Sequence, residues 1–191
     1  AVSLFTLADI RSCVDLRREY RLDGNRVILS MDTPVDLAAL LPYIAGVKVH
    51  SDLLPLTAEQ YAMLRSAGKL IIEDRKIADI GVIALRQIAK YANGPMQPHA
   101  ITAHALTLGD WVRESPIPLI VVRELSCESI ITAGYTAAAD ALILKYRANI
   151  VGAVTQSAPP YDIPTFTPGI NYATAGDIHG QKYSSGSSSD F

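Results

Sequence analysis

The sequence predicts a parallel β/α barrel, the (β/α)8 TIM fold, from two features of its pattern. Seven short apolar runs alternate with amphipathic segments along the 191 residues, and nearly every run is followed by an ionisable or hydroxyl side chain. Strands separated by helices run parallel and are joined by right-handed crossovers, which leaves a barrel or a doubly wound sheet. We favour the barrel because its strand ends converge on one mouth, whereas the outer strands of an open sheet lie far apart.

The predicted elements follow one another regularly, and together they form one domain over residues 1–191. The strand candidates are residues 27–31, 46–49, 70–72, 100–103, 118–122, 150–154 and 165–167. Helical spacing is found over residues 35–41, 57–67, 82–92 and 135–147. Thr57 and Glu59 are typical of a helix start. The polar residues at the strand ends are Asp32, Lys48, His50, Asp74, Lys76, His104, Glu124, Ser126 and Gln156.

Composition excludes several classes of function. The net charge of -2 and the lack of a long run of one sign argue against a nucleic-acid or membrane surface. No apolar stretch approaches the roughly 20 residues that cross a bilayer. Two cysteines without CxxC spacing and four scattered histidines predict neither a disulfide scaffold nor a metal site, and they indicate a reducing, cytoplasmic compartment. Gly-rich nucleotide loops are absent from the sequence.

A cluster of charges follows the third strand candidate. If the strand continues through Lys76, its alternation puts Asp74 and Lys76 on one face, and Asp79 follows in the turn beyond. Together with Lys48 these side chains can meet at the mouth, where each ammonium keeps its carboxylate ionised. Such a cluster could donate a proton and destabilise a substrate carboxylate. Considered without further context, a solvated surface cluster is an equally good interpretation.

The segment Ile72 to Gly81, Ile-Glu-Asp-Arg-Lys-Ile-Ala-Asp-Ile-Gly, closely resembles the signature of the orotidine 5'-monophosphate decarboxylase family, particularly its fungal and animal type. Further matches occur in the same order as in the family and extend from about residue 27 to 183. They are Leu29-Ser-Met-Asp32, Val47-Lys-Val-His50, Glu124-Leu-Ser-Cys127 with Gly134-Tyr-Thr136, Thr167-Pro-Gly169, and Gly176-Asp177 leading into Gly180-Gln-Lys-Tyr183.

The resemblance implies a cofactor-free decarboxylation of orotidine 5'-monophosphate to UMP in de novo pyrimidine synthesis. Lys76 would protonate C6 of the pyrimidine, Asp74 would crowd the departing carboxylate, and Lys48 would bridge Asp74 and the ribose. Asp79 would reach the partner's site in a homodimer. The implied substrate-binding residues are Asp32 and His50 for the ribose, Ser126 for the pyrimidine, and Gln181 and Tyr183 for the phosphate. Pro168, in a turn, is also expected to bind substrate.

The chain also departs from the family pattern. The family usually continues Asn-Thr after the signature, whereas this chain has Val82 and Ile83, and Lys182 replaces a glutamine. An eighth strand with a phosphate-binding arginine is expected beyond Phe191, so we expect the 191 residues to be a fragment that ends before that strand. Two alternatives stay open: a catalytically impaired nucleotide-binding relative, and a magnesium-dependent keto-sugar phosphate decarboxylase of the same superfamily.

Overall fold

The strands of this protein follow one another across the sheet in chain order. The computed structural model describes residues 27–94, 96–125 and 132–167. The strands in these residues are β1 (Ile28–Met31), β2 (Gly46–Val49), β3 (Leu70–Ile77), β4 (Ala100–His104), β5 (Leu119–Val122), β6 (Ile150–Val154) and β7 (Thr165–Phe166). Each pairs in parallel with its sequence neighbour, in the order β1-β2-β3-β4-β5-β6-β7. A doubly wound sheet would reverse its order at a switch point, so this curled arrangement confirms the barrel prediction.

Four α-helices cover the outside of the described strands. They are α1 (Leu37–Leu40), α2 (Ala58–Ser66), α3 (Gly81–Ala92) and α4 (Thr132–Lys145), with 3-10 helices at Leu41–Tyr43, Ala105–Thr107 and Asp110–Glu114. The predicted helix start at Thr57 is confirmed, because the Thr57 side chain accepts from the Gln60 backbone and the Gln60 side chain accepts from Thr57 in a capping box. The sequence predicted the last helix over residues 135–147, whereas α4 begins at Thr132 and ends at Lys145.

Strand β3 continues beyond the apolar run of residues 70–72 and through Lys76, the extension that the sequence analysis considered for the charge cluster. It extends to Ile77 and includes two carboxylates and two cations. Asp74 and Lys76 can belong to the strand although they are charged, because they lie at its carboxyl end, where inward side chains reach the mouth of a barrel. Glu73 lies on the outer face and is hydrogen-bonded to Ser51.

Apolar side chains fill both faces of the sheet. On the inner face, Ile72 packs against Ala100 and Ile120 of the strands that follow. On the outer face, Ile71 packs with Tyr61 and Leu64 of α2. The alternation of Ile71 and Ile72 fixes the register of β3, so Asp74 and Lys76 share the inner face with Ile72.

The close approach of β2 to β3 requires a residue without a side chain. Gly46 pairs with Leu70, and a Cβ atom added at Gly46 would come within 2.5 Å of the Leu70 Cβ. The fit brings Lys48, two residues further along β2, next to the inner face of β3. None of the helices in the described ranges is long and apolar enough to cross a bilayer.

Candidate active site

The carboxyl end of β3 has an irregular backbone. Glu73 pairs with Ile101 of β4 and Ile77 pairs with Ala103, so three residues of β3 lie opposite the single residue Thr102. Within this bulge Lys76 has a φ of 47°, the one positive φ recorded for a non-glycine residue in the described chain. A left-handed conformation costs an L-residue roughly 1–2 kcal/mol. Such strain is found most often at functional sites, where the surrounding structure holds it in place.

Asp74 lies at the centre of a group of polar side chains, which we call the β3 cluster: Lys48, His50, Asp74, Lys76 and Thr102. Its Oδ2 atom is 2.7 Å from Lys48 Nζ, 2.8 Å from Lys76 Nζ and 3.2 Å from His50 Nε2. Its Oδ1 atom accepts a hydrogen bond of 2.7 Å from Thr102 Oγ1. The predicted convergence of Lys48, Asp74 and Lys76 on one point is therefore present in the structure.

The Asp74 carboxylate is held in its ionised form. Burial alone would raise the pKa of Asp74, but hydrogen bonds from Lys48 and Lys76 outweigh it and hold the pKa well below the ordinary value. Only 6% of the Asp74 side chain is exposed, whereas 41% of Lys76 and 30% of Lys48 are exposed. The cluster thus presents two ammonium groups to the mouth, over a carboxylate that is almost completely covered.

Asp32 extends the cluster to β1. Its Oδ1 atom lies 3.0 Å from His50 Nδ1, and its Oδ2 atom accepts a hydrogen bond of 2.8 Å from Ser30. His50 therefore stands between two carboxylates, Asp32 at one ring nitrogen and Asp74 at the other. Burial opposes ionisation of Asp32, but the Ser30 hydrogen bond and the nearby Lys48 charge lower its pKa. The side chains of Asp32 and His50 remain partly exposed at the rim of the mouth.

Asp79 lies outside the β3 cluster. Its carboxylate accepts a hydrogen bond of 2.8 Å from the Ile80 backbone, and within the described ranges it forms no ion pair with Lys48 or Lys76. It lines an open groove between β3 and α3 together with Arg75, Gln87, Lys90 and Tyr91. Three of the four charged side chains expected to meet do so within one chain, whereas Asp79 lies beyond the end of β3 at Ile77.

Two polar residues near the site escaped the sequence analysis. Thr102 is 2% exposed and contacts both the Asp74 carboxylate and the Lys76 backbone. Glu73 is fully buried on the outer face of β3, where its Oε1 atom accepts hydrogen bonds from the backbone and hydroxyl of Ser51, and burial raises its pKa. The sequence signal for Thr102 was a hydroxyl at an inward-facing position of β4. Its contacts with Asp74 and Lys76 could be deduced only with the register between β3 and β4 known.

A second polar group lies at the ends of β5 and β6, and we call it the β5 cluster: Arg123, Glu124, Asp140, Thr155 and Ser157. Arg123 donates from Nε and Nη2 to the two oxygens of Asp140 on α4, at 2.6 and 3.0 Å. Its Nη1 atom faces Glu124, Thr155 and Ser157 at 3.1, 2.9 and 3.0 Å. Only 6% of the Arg123 side chain is exposed. The guanidinium is therefore enclosed by acceptors.

Glu124 is held equally closely. Its oxygens accept hydrogen bonds from the Thr155 hydroxyl at 2.8 Å, the Ser157 hydroxyl at 2.6 Å and the backbones of Gln156 and Ser157 at 2.7 Å. Burial would raise the pKa of Glu124, but these hydrogen bonds lower it to about 2. The donors and acceptors of the β5 cluster satisfy one another, which is the behaviour of a structural network.

Four of the predicted substrate-binding residues lie outside the described residues: Ser126, Pro168, Gln181 and Tyr183. Their roles therefore stay predictions. In the part of the chain that the structure describes, no three His, Cys, Asp or Glu side chains stand close enough to hold a metal ion.

Fold and site together define a class of protein, a parallel β/α barrel with ionised side chains gathered at the carboxyl ends of its strands. A sequence profile of the Orotidine 5'-phosphate decarboxylase / HUMPS family matches residues 25–188, which include the β3 cluster. The chain belongs to this family.

Individual relatives agree with this assignment. The chain is 31% identical over 184 residues to the orotidine 5'-phosphate decarboxylase of Passalora fulva, an alignment that covers 78% of this chain and 65% of that protein. It is 28% identical over 175 residues to the enzyme of Penicillium chrysogenum, covering 74% of this chain and 62% of the relative. The chain thus spans less than two thirds of the length of these two curated relatives.

A solved structure supports the same fold. The crystal structure of orotidine 5'-monophosphate decarboxylase from Metallosphaera sedula superimposes with a TM-score of 0.54 and 25% sequence identity, covering 69% of this chain and 65% of that one.

Proposed function

We propose that this chain carries the active site of a decarboxylase that converts orotidine 5'-monophosphate to UMP in de novo pyrimidine synthesis. The single observation that supports this most is the β3 cluster, in which Lys48 and Lys76 both contact one oxygen of the buried Asp74. It stands in a chain of the matching family, several of whose curated relatives are named orotidine 5'-phosphate decarboxylase.

The proposed reaction breaks the bond between C6 of the pyrimidine and its carboxylate. Carbon dioxide leaves, the electron pair stays on C6, and the Lys76 ammonium donates the proton that replaces the carboxylate. Asp74 stands 2.8 Å from that ammonium and is ionised, so a substrate carboxylate placed beside Asp74 is repelled. In the transition state the negative charge moves from the carboxylate to C6, toward the Lys76 ammonium, so the repulsion by Asp74 is smaller there. A difference of this kind between ground and transition states accelerates a reaction.

The remaining substrate contacts are proposed by resemblance. Lys48 bridges Asp74 and the ribose, while Asp32 and His50 bind ribose hydroxyls from their positions on the rim. Ser126 binds the pyrimidine, Gln181 and Tyr183 bind the phosphate, and Pro168 is a further substrate contact. The proposed reaction requires no cofactor.

The proposed assembly is a homodimer in which Asp79 contributes to the partner's site. Asp79 lies outside its own β3 cluster, on a groove between β3 and α3. Ile80 and Val82 beside it expose 69% and 62% of their surface, and apolar surface of this kind suits a contact between two copies. We place the protein in the cytoplasm, since its two cysteines have no disulfide-like spacing.

The direct test is turnover. The protein, expressed with all the sequence that its gene encodes, is mixed with orotidine 5'-monophosphate, and absorbance of the orotate ring is followed. We expect the absorbance to fall with the wild-type protein and with Lys145→Ala, a control at an exposed lysine at the end of α4. No change with the wild type would refute the proposal.

Two further measurements separate the alternatives. Activity that survives a metal chelator contradicts a magnesium-dependent keto-sugar phosphate decarboxylase. Binding of UMP by calorimetry, together with no turnover, would instead identify a nucleotide-binding relative that has lost catalysis.

A further inference from the structure

Thr102 lies opposite the bulge that carries the proposed proton donor. Three residues of β3, from Asp74 to Lys76, face this one residue of β4 because the register shifts between Glu73 and Ile77. The Lys76 backbone N–H therefore lacks a partner in the regular ladder. Thr102 Oγ1 accepts the hydrogen bond from that N–H, at 2.8 Å.

The same hydroxyl also determines where the Asp74 carboxylate points. Thr102 Oγ1 donates to Asp74 Oδ1 at 2.7 Å, while the lysines contact Oδ2. A hydroxyl has one proton to donate and two lone pairs to accept with. The proton of Thr102 is used on Asp74 and a lone pair on Lys76, so one buried atom connects the two residues of the proposed chemistry.

The left-handed backbone of Lys76 needs such a support. With a φ of 47°, Lys76 holds a conformation that persists only where the surrounding structure over-determines it. Thr102 is 2% exposed, so water has little access to its two hydrogen bonds. A threonine that only filled space could be replaced by valine, which has nearly the same shape.

We propose that Thr102 is a positioning residue for the reaction, holding the Lys76 backbone in its left-handed conformation and the Asp74 carboxylate in its orientation. This inference rests on the proposed decarboxylase function. Thr102 acts through Lys76 and Asp74 and does not itself take part in the chemical step.

The test compares Thr102→Val with Thr102→Ser, which keeps the hydroxyl. We expect valine to lower kcat by about 10²-fold, the effect of misplacing a reacting group by about 1 Å. The KM and the affinity for UMP should change little, and serine should restore kcat to within a few-fold of wild type.

Thr155→Val is the matched control. Thr155 is also 2% exposed, and its hydroxyl also both donates and accepts a hydrogen bond, but it lies in the β5 cluster. It should lower the melting temperature and leave kcat nearly unchanged. An equal loss of kcat in Thr102→Val and Thr155→Val would mean that any lost buried hydroxyl has this effect, and would overturn the inference. So would a normal kcat in Thr102→Val.

A crystal structure of Thr102→Val separates this inference from the function on which it rests. We expect Lys76 to leave the positive φ region and the Asp74 carboxylate to rotate. If Lys76 keeps its conformation, Thr102 does not position it, whatever the enzyme does. If Lys76 moves but the wild-type protein has no decarboxylase activity, then the proposed function fails and the support by Thr102 stands.

Discussion

The β3 cluster and the β5 cluster contain the same kinds of side chain but differ in what those side chains can do. In the β5 cluster one guanidinium is enclosed by acceptors, and 6% of the Arg123 side chain is exposed. In the β3 cluster two ammonium groups converge on a single oxygen of Asp74, and 41% of Lys76 remains exposed. A network whose hydrogen bonds are closed stabilises the fold, whereas one with exposed donors above a buried charge can act on a ligand. The two clusters therefore differ in whether their cationic donors are enclosed, as in the β5 cluster, or remain exposed to a ligand, as in the β3 cluster.

Among the substitutions that distinguish the two clusters, Lys76→Ala should have the largest effect, and that effect should be on kcat. Removing a general acid costs typically 10²–10⁴-fold in rate, so we expect kcat to fall by at least about that range. Stability should change little, since 41% of the Lys76 side chain is exposed and Lys48 still pairs with Asp74. Orotidine 5'-monophosphate turnover and a urea melt measure the two effects, and near-normal turnover would remove Lys76 from the chemistry.

The second experiment asks whether Asp79 belongs to the β3 cluster of a partner. Asp79→Ala and Lys76→Ala should each be nearly inactive alone. If sites are shared, mixing them should return part of the activity, because one site of each hybrid dimer then has both side chains. Mixed proteins that exchange subunits and remain inactive would contradict a shared site.

Arg123→Met should affect stability far more than chemistry. Removing one partner of a buried ion pair typically costs about 3–5 kcal/mol, and here Asp140 and Glu124 both lose their cation. The free energy of unfolding in urea should fall by about 3 kcal/mol, while kcat per folded molecule stays close to wild type. A loss of kcat without a loss of stability would show that the β5 cluster also serves catalysis.

The smallest expected effect concerns pH. The pKa of Glu124 is about 2 in the folded protein, below its ordinary value of 4.5. Its ionised form therefore contributes stability that is fully present above pH 4.5 and is lost as the pH falls from there toward 2. We expect Glu124→Gln to be less stable than wild type at neutral pH and to lose less stability between pH 5 and pH 3. Parallel stability curves for the two proteins would contradict this.

The general plan of the site was predictable from the sequence because it depends on local rules. Alternation along an apolar run put Asp74 and Lys76 on one face, and the barrel placed Lys48 beside them. Both expectations agree with the contacts in the structure. The helix start at Thr57 was predictable for the same reason, since a capping box depends only on four consecutive residues.

The parts that escaped prediction depend on pairing between distant residues. The importance of Thr102 follows from a register shift between β3 and β4, which no local pattern encodes. The conformation of Lys76 was equally hidden, because lysine has no intrinsic preference for a positive φ. Arg123 and Asp140 are separated by 17 residues and become a closed pair only when α4 packs on β5.

The left-handed backbone at Lys76 has a consequence for how the stability of this protein could be altered. Glycine adopts a positive φ without the steric cost that an L-side chain carries there. Position 76 is thus one where glycine should give a more stable fold than alanine, by roughly 1 kcal/mol, in a protein with no proton donor. At position 76 the stability of the fold favours glycine, whereas the proposed reaction requires lysine. The cost of this conflict is confined to the backbone of one residue.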